Sequence, residues 1–194
     1  MIDYNKIGFA IDFYNSIGFK YIDVPWIVSE ESVSATAPVG VRIFNTFAGE
    51  LVASGEQSFI EIRKKLMASS GFPALFQCVT PCFRDEPIND PLHLQYFMKN
   101  ELIAVLHPTH GKEHIPWATI DFLIRNALVF FKKLIKEHDE IKVVNAPQDN
   151  SILNKDILIN EIEVGSYGYR YYKDFCWVYG TGIAEPRFSQ ALLT

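Results

Sequence analysis

The sequence is short of the features that would send it to a membrane, a secretory route or a nucleic-acid backbone. No apolar run reaches the roughly 18 residues that a membrane-spanning helix needs, and no signal peptide is read at the start of the chain. Cysteine is scarce: Cys78, Cys82 and Cys176 are the only three in 194 residues. An odd count without metal-ligand spacing excludes a disulfide framework and predicts reduced thiols in a soluble, cytoplasmic protein. Runs of one charge are also missing. The net charge is -5, and the densest basic cluster, Arg63-Lys64-Lys65, reads as a solvated helix face. A phosphate-backbone footprint of the kind a nucleic-acid-binding module carries is not advertised. Repeats, low-complexity segments and Pro/Gly/Ser linkers are absent too. What is present is 48% hydrophobic and 14% aromatic content, enough for one core, so residues 1–194 are read as a single domain.

Periodicity sorts most of the chain into elements. In "DYNKIGFAIDFYNSIGF" Ile7, Ile11 and Tyr14 share a helical face, with Asp3 placed to cap its start and Gly18 to stop it. "KYIDVPWIV" is apolar and β-branched, and Pro25 marks an edge or a bend because it donates nothing to a ladder. "VRIFNTFAGELVAS" reads as two short strands around Ala48-Gly49-Glu50. "SGEQSFIEIRKKLMASSGF" predicts a helix from near Ser54 to Gly71, with Phe59, Ile62 and Leu66 inward. Residues 78–103, "CVTPCFRDEPINDPLHLQYFMKNELI", predict a hairpin around a long loop. "WATIDFLIRNALVFFKKLIKEH" carries Ile120, Leu123, Ala127, Phe130 and Leu134 on one helical face. Strands are expected over "IKVVNA", "DILINEIEVG" and "YRYYKDFCWVYG", and a short helix from about Pro186, where a missing N–H costs nothing. Strands outnumber helices and follow one another directly. The predicted class is therefore α+β, a mostly antiparallel sheet flanked by helices.

Several groups of residues could carry chemistry. Side chains two apart on a strand face the same way, so Arg84 and Glu86 project together, as do Phe97, Lys99 and Glu101 on the returning strand. A guanidinium, carboxylates and an aromatic ring on one sheet face suit a nucleotide; the bland alternative is a polar sheet face with one exposed ring. Glu161 and Glu163, with Ser166 beyond, could hold Mg²⁺, or could be ordinary solvent-facing strand residues. In "GTGIAEPR", Gly180 and Gly182 permit close approach of a ligand or a neighbouring strand, and Arg187 begins a helix whose N-terminus favours anions. Glu56 lies at a helix start, where its charge suits the macrodipole. His107, His110 and His114 share a loop, but no fourth metal ligand and no rigid frame accompany them.

Taken in order, these segments resemble the catalytic core of a class II aminoacyl-tRNA synthetase, with motifs like those of the seryl branch, over nearly the whole chain. "GFKYIDVPWIV" is similar to the first motif, which ends at a proline, here Pro25, that lies at the family's dimer interface. "ASGEQS" resembles the short Thr-x-Glu loop, with Ser54 in place of threonine; the resemblance implies that Glu56 holds a substrate amino group. "TPCFRDEP" and "FMKNELI" resemble the second motif. They imply that Arg84 binds the α-phosphate of ATP, that Glu86 contacts the adenine or pyrophosphate side, and that Phe97 stacks on adenine, with Glu101 at the family's spacing. "EVGS" resembles the glutamate and serine that carry Mg²⁺, mapping to Glu163 and Ser166, and Ser166 would also face the amino acid. "GTGIAEPR" resembles the third motif, placing Gly180 and Gly182 at ATP and Arg187 on the γ-phosphate.

The resemblance implies ATP and Mg²⁺ as cofactors, an amino acid as substrate, and a homodimer with Pro25 and the first helix at its seam. Three departures qualify it. The loop "PINDPLHLQY" has neither Lys nor Arg, whereas the family's loop helps hold the acceptor end of tRNA. The chain also ends soon after Arg187, which predicts no anticodon-binding domain. "SYGYR" differs from the seryl branch, so serine specificity is not carried over. The expected function is ATP-dependent activation of an amino acid, or a related carboxylic acid, as an acyl-adenylate. The expected acceptor is a carrier protein or small molecule rather than tRNA. The alternatives are a minimal aminoacyl-tRNA ligase with a separate tRNA-binding partner, and a non-catalytic regulator that binds nucleotide or amino acid.

Overall fold

Asp3 begins the first helix, α1 (Tyr4–Ser16), by accepting the backbone N–H groups of Asn5 and Lys6 at 3.0 and 3.3 Å. Gly18, at φ +101°, then lets the chain turn away. The computed structural model describes residues 1–37, 42–69, 71–85, 90–146 and 151–193. After α1 follow β1 (Lys20–Tyr21), β2 (Ile27–Val28), α2 (Glu30–Ser34), β3 (Asn45–Thr46), β4 (Gly49–Leu51), α3 (Gly55–Glu61) and α4 (Arg63–Met67). The long hairpin β5 (Ala74–Phe83) and β6 (Tyr96–Val105) leads to a 3-10 turn at Pro108–His110 and then to α5 (Trp117–Lys132). The meander β7 (Ile141–Asn145), β8 (Leu153–Ile159), β9 (Ile162–Tyr172) and β10 (Phe175–Glu185) ends in α6 (Arg187–Ala191).

Among the described residues the strands form a seven-stranded sheet in the order β1-β5-β6-β10-β9-β8-β7 and a three-stranded sheet in the order β2-β4-β3. Among the described residues only β1 and β5 pair in parallel. The chain is thus an α+β fold built on a mostly antiparallel sheet, as the order of its elements predicts. Central β10 is buried from end to end, as suits a strand with neighbours on both sides and packing on both faces. One face carries α1, α5 and α6 over a core that includes Tyr14, Leu102, Leu123, Phe130, Tyr167 and Val178. Phe130 meets the rings of Phe9, Phe13 and Tyr14 at 5.7, 5.4 and 5.4 Å. Truncating such a side chain costs about 3–5 kcal/mol. The opposite face is covered by α3 near Phe59, Ile60, Phe175 and Trp177, and this side is where the sheet remains open enough to hold a cavity.

Pro25 marks a bend, one of the two readings its sequence allowed: β1 and β2 belong to different sheets and Pro25 lies between them. Other expectations are corrected. The helix expected from Ser54 to Gly71 breaks at Ile62 (φ -99°, ψ 16°) and ends by Ala68. Next to the break, Glu61 accepts the hydroxyls of Ser29 and Ser32, each at 2.7 Å, so tertiary hydrogen bonds outweigh helix propensity here. "DILINEIEVG" and "YRYYKDFCWVYG" are each cut by a turn, at Asn160–Glu161 (φ +48° and +66°) and at Lys173 (φ +56°). Tight hairpins between right-twisted strands need positive φ, and only Asn160 advertises it.

Candidate functional site

Over β6, β9 and β10, on the α3 side of the sheet, lies a cavity of about 340 Å³. Its walls bring together Ser54, Glu56, Arg84, Lys99, Glu101 and Glu163 with Ser166, Arg170 and Tyr179. Residues more than a hundred positions apart therefore meet at one place, and six of the residues anticipated from the sequence are among them: Glu56, Arg84, Lys99, Glu101, Glu163 and Ser166.

The hairpin supplies the first wall. Register places Cys78 opposite Glu101, Thr80 opposite Lys99 and Cys82 opposite Phe97, so alternate residues of both strands share a face. Arg84 stands just beyond β5, where its backbone N–H donates to Gln95 at 2.8 Å. Its guanidinium lies 5.0 Å over the Phe97 ring, and Nε donates to the Ala53 carbonyl at 3.4 Å. Phe97 itself lies behind Arg84 and outside the cavity lining. Glu86 lies outside the described residues. Lys99 Nζ meets Glu101 Oε2 at 2.8 Å, and Ser54 Oγ donates to the same oxygen at 2.7 Å. Burial works against the Lys99 charge, yet Glu101 holds its ammonium above the ordinary lysine value. Burial also pushes the Cys78 and Cys82 thiols up, which leaves them inert core groups.

Ser54 caps α3 by accepting the Glu56 N–H at 3.3 Å, and the helix start turns Glu56 into the interior. One carboxylate oxygen accepts Trp177 Nε1 at 2.6 Å and the other accepts Arg170 Nη1 at 2.9 Å. The Arg170 guanidinium is stacked 4.6 Å over Tyr179. Desolvation raises the Glu56 carboxyl above the usual carboxylate range against the opposing pull of Arg170. Arg170 went unnoticed in the sequence. Its signal was a single charge inside the aromatic run "YGYRYY", since a charge buried there demands a partner.

The third wall depends on a bulge. Gly165 pairs with Ile157 and Glu163 with Leu158, so Val164 is an extra residue in β9. The bulge brings Glu163 and Ser166 to the same side although their spacing of three would place them on opposite faces of a regular strand. Glu161 is not their companion: it sits in the β8–β9 turn and pairs with Lys142. Ser166 Oγ donates to Asn154 Oδ1 at 2.8 Å. Arg187 Nη1 stands 3.5 Å from Glu163 Oε2, and its Nη2 donates to the Leu92 carbonyl at 2.9 Å.

Gly180 and Gly182 are not in the lining. A Cβ at Gly180 would stand 2.8 Å from the Tyr167 ring and 3.0 Å from Leu123, and one at Gly182 would stand 1.9 Å from Asn100 Oδ1. The latter is the extra residue of a second bulge, between Thr181 and Ile183. Both glycines therefore answer to packing between the sheet and its helices. His110 hydrogen-bonds the His114 carbonyl and His107 the Thr109 hydroxyl, and no group of three potential metal ligands occurs among the described residues.

No protein-family model matches the chain, and no curated protein matches it in sequence. Solved structures do match in shape. The cytoplasmic serine-tRNA ligase of Naegleria fowleri, in complex with AMP, superposes with a TM-score of 0.74 at 18% identity, covering 95% of this chain and 46% of that one. The seryl-tRNA synthetase of Pyrococcus horikoshii, complexed with ATP, gives 0.72 at 19% identity over 96% of this chain and 48% of that one. The pyrrolysyl-tRNA synthetase PylSc of Desulfitobacterium hafniense gives 0.72 at 15% identity, covering 96% and 67%. The chain has the fold of a class II aminoacyl-tRNA synthetase core. It spans about half the length of the two seryl enzymes. No helix of the described residues is long and apolar enough to cross a membrane.

Proposed function

We propose that the cavity binds ATP and a carboxylic acid, an amino acid or a relative of one, and joins them as an acyl-adenylate. The observation that carries this reading is the charge arrangement of the walls. Glu56, Glu101 and Glu163 each face a cation at 2.9, 2.8 and 3.5 Å, whereas Arg84 has no carboxylate partner among the described residues. An arginine poised at a cavity with no acid of its own suits an incoming phosphate. The synthetase fold, and the nucleotides held by two of its neighbours, support the same choice.

In the reaction a carboxylate oxygen attacks the α-phosphorus of ATP, the bond from that phosphorus to the β-bridging oxygen breaks, and pyrophosphate leaves. Arg84 would neutralise the charge that develops on the α-phosphate oxygens, and Arg187 would exchange Glu163 and the Leu92 carbonyl for the departing end. Glu163 and Ser166 offer one carboxylate and one hydroxyl. That set fits Mg²⁺, which takes few protein oxygens and the remainder from phosphates and water; the ion would supply charge neutralisation along the triphosphate.

For the acceptor, the absence of Lys and Arg from residues 87–96 favours a carrier protein or small molecule over tRNA. A homodimer, and a cytoplasmic location, belong to the same reading. ATP–pyrophosphate exchange across a panel of acids tests it. Arg84→Ala is expected to abolish exchange while leaving the fold intact, because a half-exposed arginine stacked on one ring is not core. Unchanged exchange would remove Arg84 from the site. Failure of the adenylate to load onto added tRNA would support the non-tRNA acceptor, and loading would overturn it.

A further inference from the structure

We infer that Gln57 and Thr36 form a neutral hydrogen-bonding subsite that reads the side chain of the acid, and that this side chain carries an uncharged oxygen, as a hydroxyl or a carboxamide. The inference rests on the adenylate reading for the reaction, but it concerns which acid the walls accept. Gln57 and Thr36 both border the cavity and are only 2% and 7% exposed. Gln57 Oε1 accepts the Ala53 N–H at 2.8 Å, which fixes the amide and identifies its oxygen end. Its Nε2 is left with two N–H groups and no hydrogen-bond partner among the described residues. The Thr36 hydroxyl is buried and likewise has no partner among them. Buried polar groups are rarely left unmatched, so two of them on one cavity point to a ligand that completes both.

Placement assigns the subsite to the acid rather than to the nucleotide. Ala53 joins it to Arg84: its N–H is held by Gln57, and its carbonyl accepts Arg84 Nε at 3.4 Å. The Gln57 amide therefore stands one residue away from the guanidinium assigned to the α-phosphate, where the attacking carboxylate must arrive. Glu163, Ser166 and Arg187, assigned to the triphosphate and its ion, come from β9 and α6 instead. Local structure holds both polar groups in place. Gln57 lies in the first turn of α3, and the Thr36 N–H donates to the Val33 carbonyl at 3.2 Å just after α2. The two helices are tied together by Glu61, which accepts the hydroxyls of Ser29 and Ser32. An amide and a hydroxyl bear no charge, and Ile43 and Ala53 add apolar lining. Such a subsite suits an uncharged group better than an ion whose hydration it would have to replace. A hydrocarbon side chain would leave both polar groups unpaired, and sites built to hydrogen-bond an oxygen reject the isostere that lacks it.

The test uses the full chain and pairs of acids matched in shape: L-threonine against L-valine, L-asparagine against L-leucine, and 3-hydroxybutyrate against 3-methylbutyrate. Binding is measured by calorimetry, without nucleotide and then with ATP. At least one oxygen-bearing member is expected to bind about tenfold or more tighter than its hydrocarbon partner. Thr36→Val, which removes the hydroxyl and keeps the shape, is expected to weaken that member about three- to tenfold. It should leave the hydrocarbon member unchanged and should not lower the midpoint of urea unfolding. Gln57→Glu keeps an oxygen on the Ala53 N–H and takes away the donor, and is expected to narrow the ratio. A purely structural role for Thr36 would instead lower the urea midpoint of Thr36→Val and weaken both members of a pair equally. Ratios short of tenfold in every pair, as when water alone satisfies the two groups, or binding by neither member of any pair, overturn the inference. Should Gln57→Glu not fold, the wild-type ratios and Thr36→Val still decide. ATP is titrated separately. Absence of ATP binding with the oxygen preference retained would sink the adenylate reading and leave the subsite standing, whereas ATP binding without that preference would do the reverse.

Discussion

Removing either member of the Glu56–Arg170 pair should destabilise the protein, but only one of the two losses should depend on pH. The pair is buried, with N–O separation of 2.9 Å, and breaking such a pair from one side costs about 3–5 kcal/mol. In Glu56→Gln the Arg170 guanidinium loses this carboxylate and keeps its charge at every accessible pH, so the loss should be similar at pH 5 and pH 8. In Arg170→Met the stranded group is a carboxyl that burial already pushes upward and that can escape by taking a proton. A carboxyl whose folded pKa is raised contributes stability below its unfolded value, and that contribution is lost as pH rises through the folded value. Between pH 5 and pH 8 the loss can reach about 1.4 kcal/mol per unit, or about 4 kcal/mol in total. Urea unfolding followed by far-UV circular dichroism at the two pH values measures both variants. Arg170→Met should be close to wild type at pH 5 and much weaker at pH 8, and the double variant should lose less than the sum of the singles. An Arg170→Met penalty that is the same at both pH values, or a Glu56→Gln protein as stable as wild type, would refute the reasoning.

Gly182→Ala puts a methyl 1.9 Å from Asn100 Oδ1 and 2.9 Å from the Tyr14 ring, and should cost about 1–3 kcal/mol in chemical denaturation. Ser54→Ala removes both the α3 cap and a hydrogen bond to Glu101, and should lower stability by about 0.5–2 kcal/mol in the same assay. Trp26 and Ile27, beside Pro25, are 51% and 41% exposed; if they form the dimer seam, Trp26→Asp should shift the sedimentation of the protein from dimer to monomer. A wild-type protein that sediments as a monomer at all concentrations would end that assignment.

What the sequence disclosed follows from how local the cause was. The Asp3 cap, the buried face of α5 and the β5–β6 pairing all depend on residues within a few positions or on simple alternation, and each was legible. The turns at Glu161 and Lys173 were not, because residues that rarely adopt positive φ are held there by strands on either side. Glu56 was singled out by its place in a motif, yet its partner Arg170 lies 114 positions away, a pairing that no local pattern encodes. Gly180 and Gly182 carried the right residue type for a ligand contact, but what crowds them is Tyr167, Leu123 and Asn100. Spacing also misled at Glu161 and Glu163, since alternation holds only while every residue of a strand is paired.

The bulge at Val164 has a consequence for how the sheet breathes. An unpaired residue in β9 is a missing stitch in its seam with β8, and it lies beyond Tyr167, where the seam with β10 ends. Deuterium from solvent should therefore enter the sheet around Val164 before it reaches the amides of β10. Each such opening would swing the Glu163 carboxylate relative to Arg187, so the slow local fluctuation of this strand and the electrostatic state of the cavity mouth should rise and fall together.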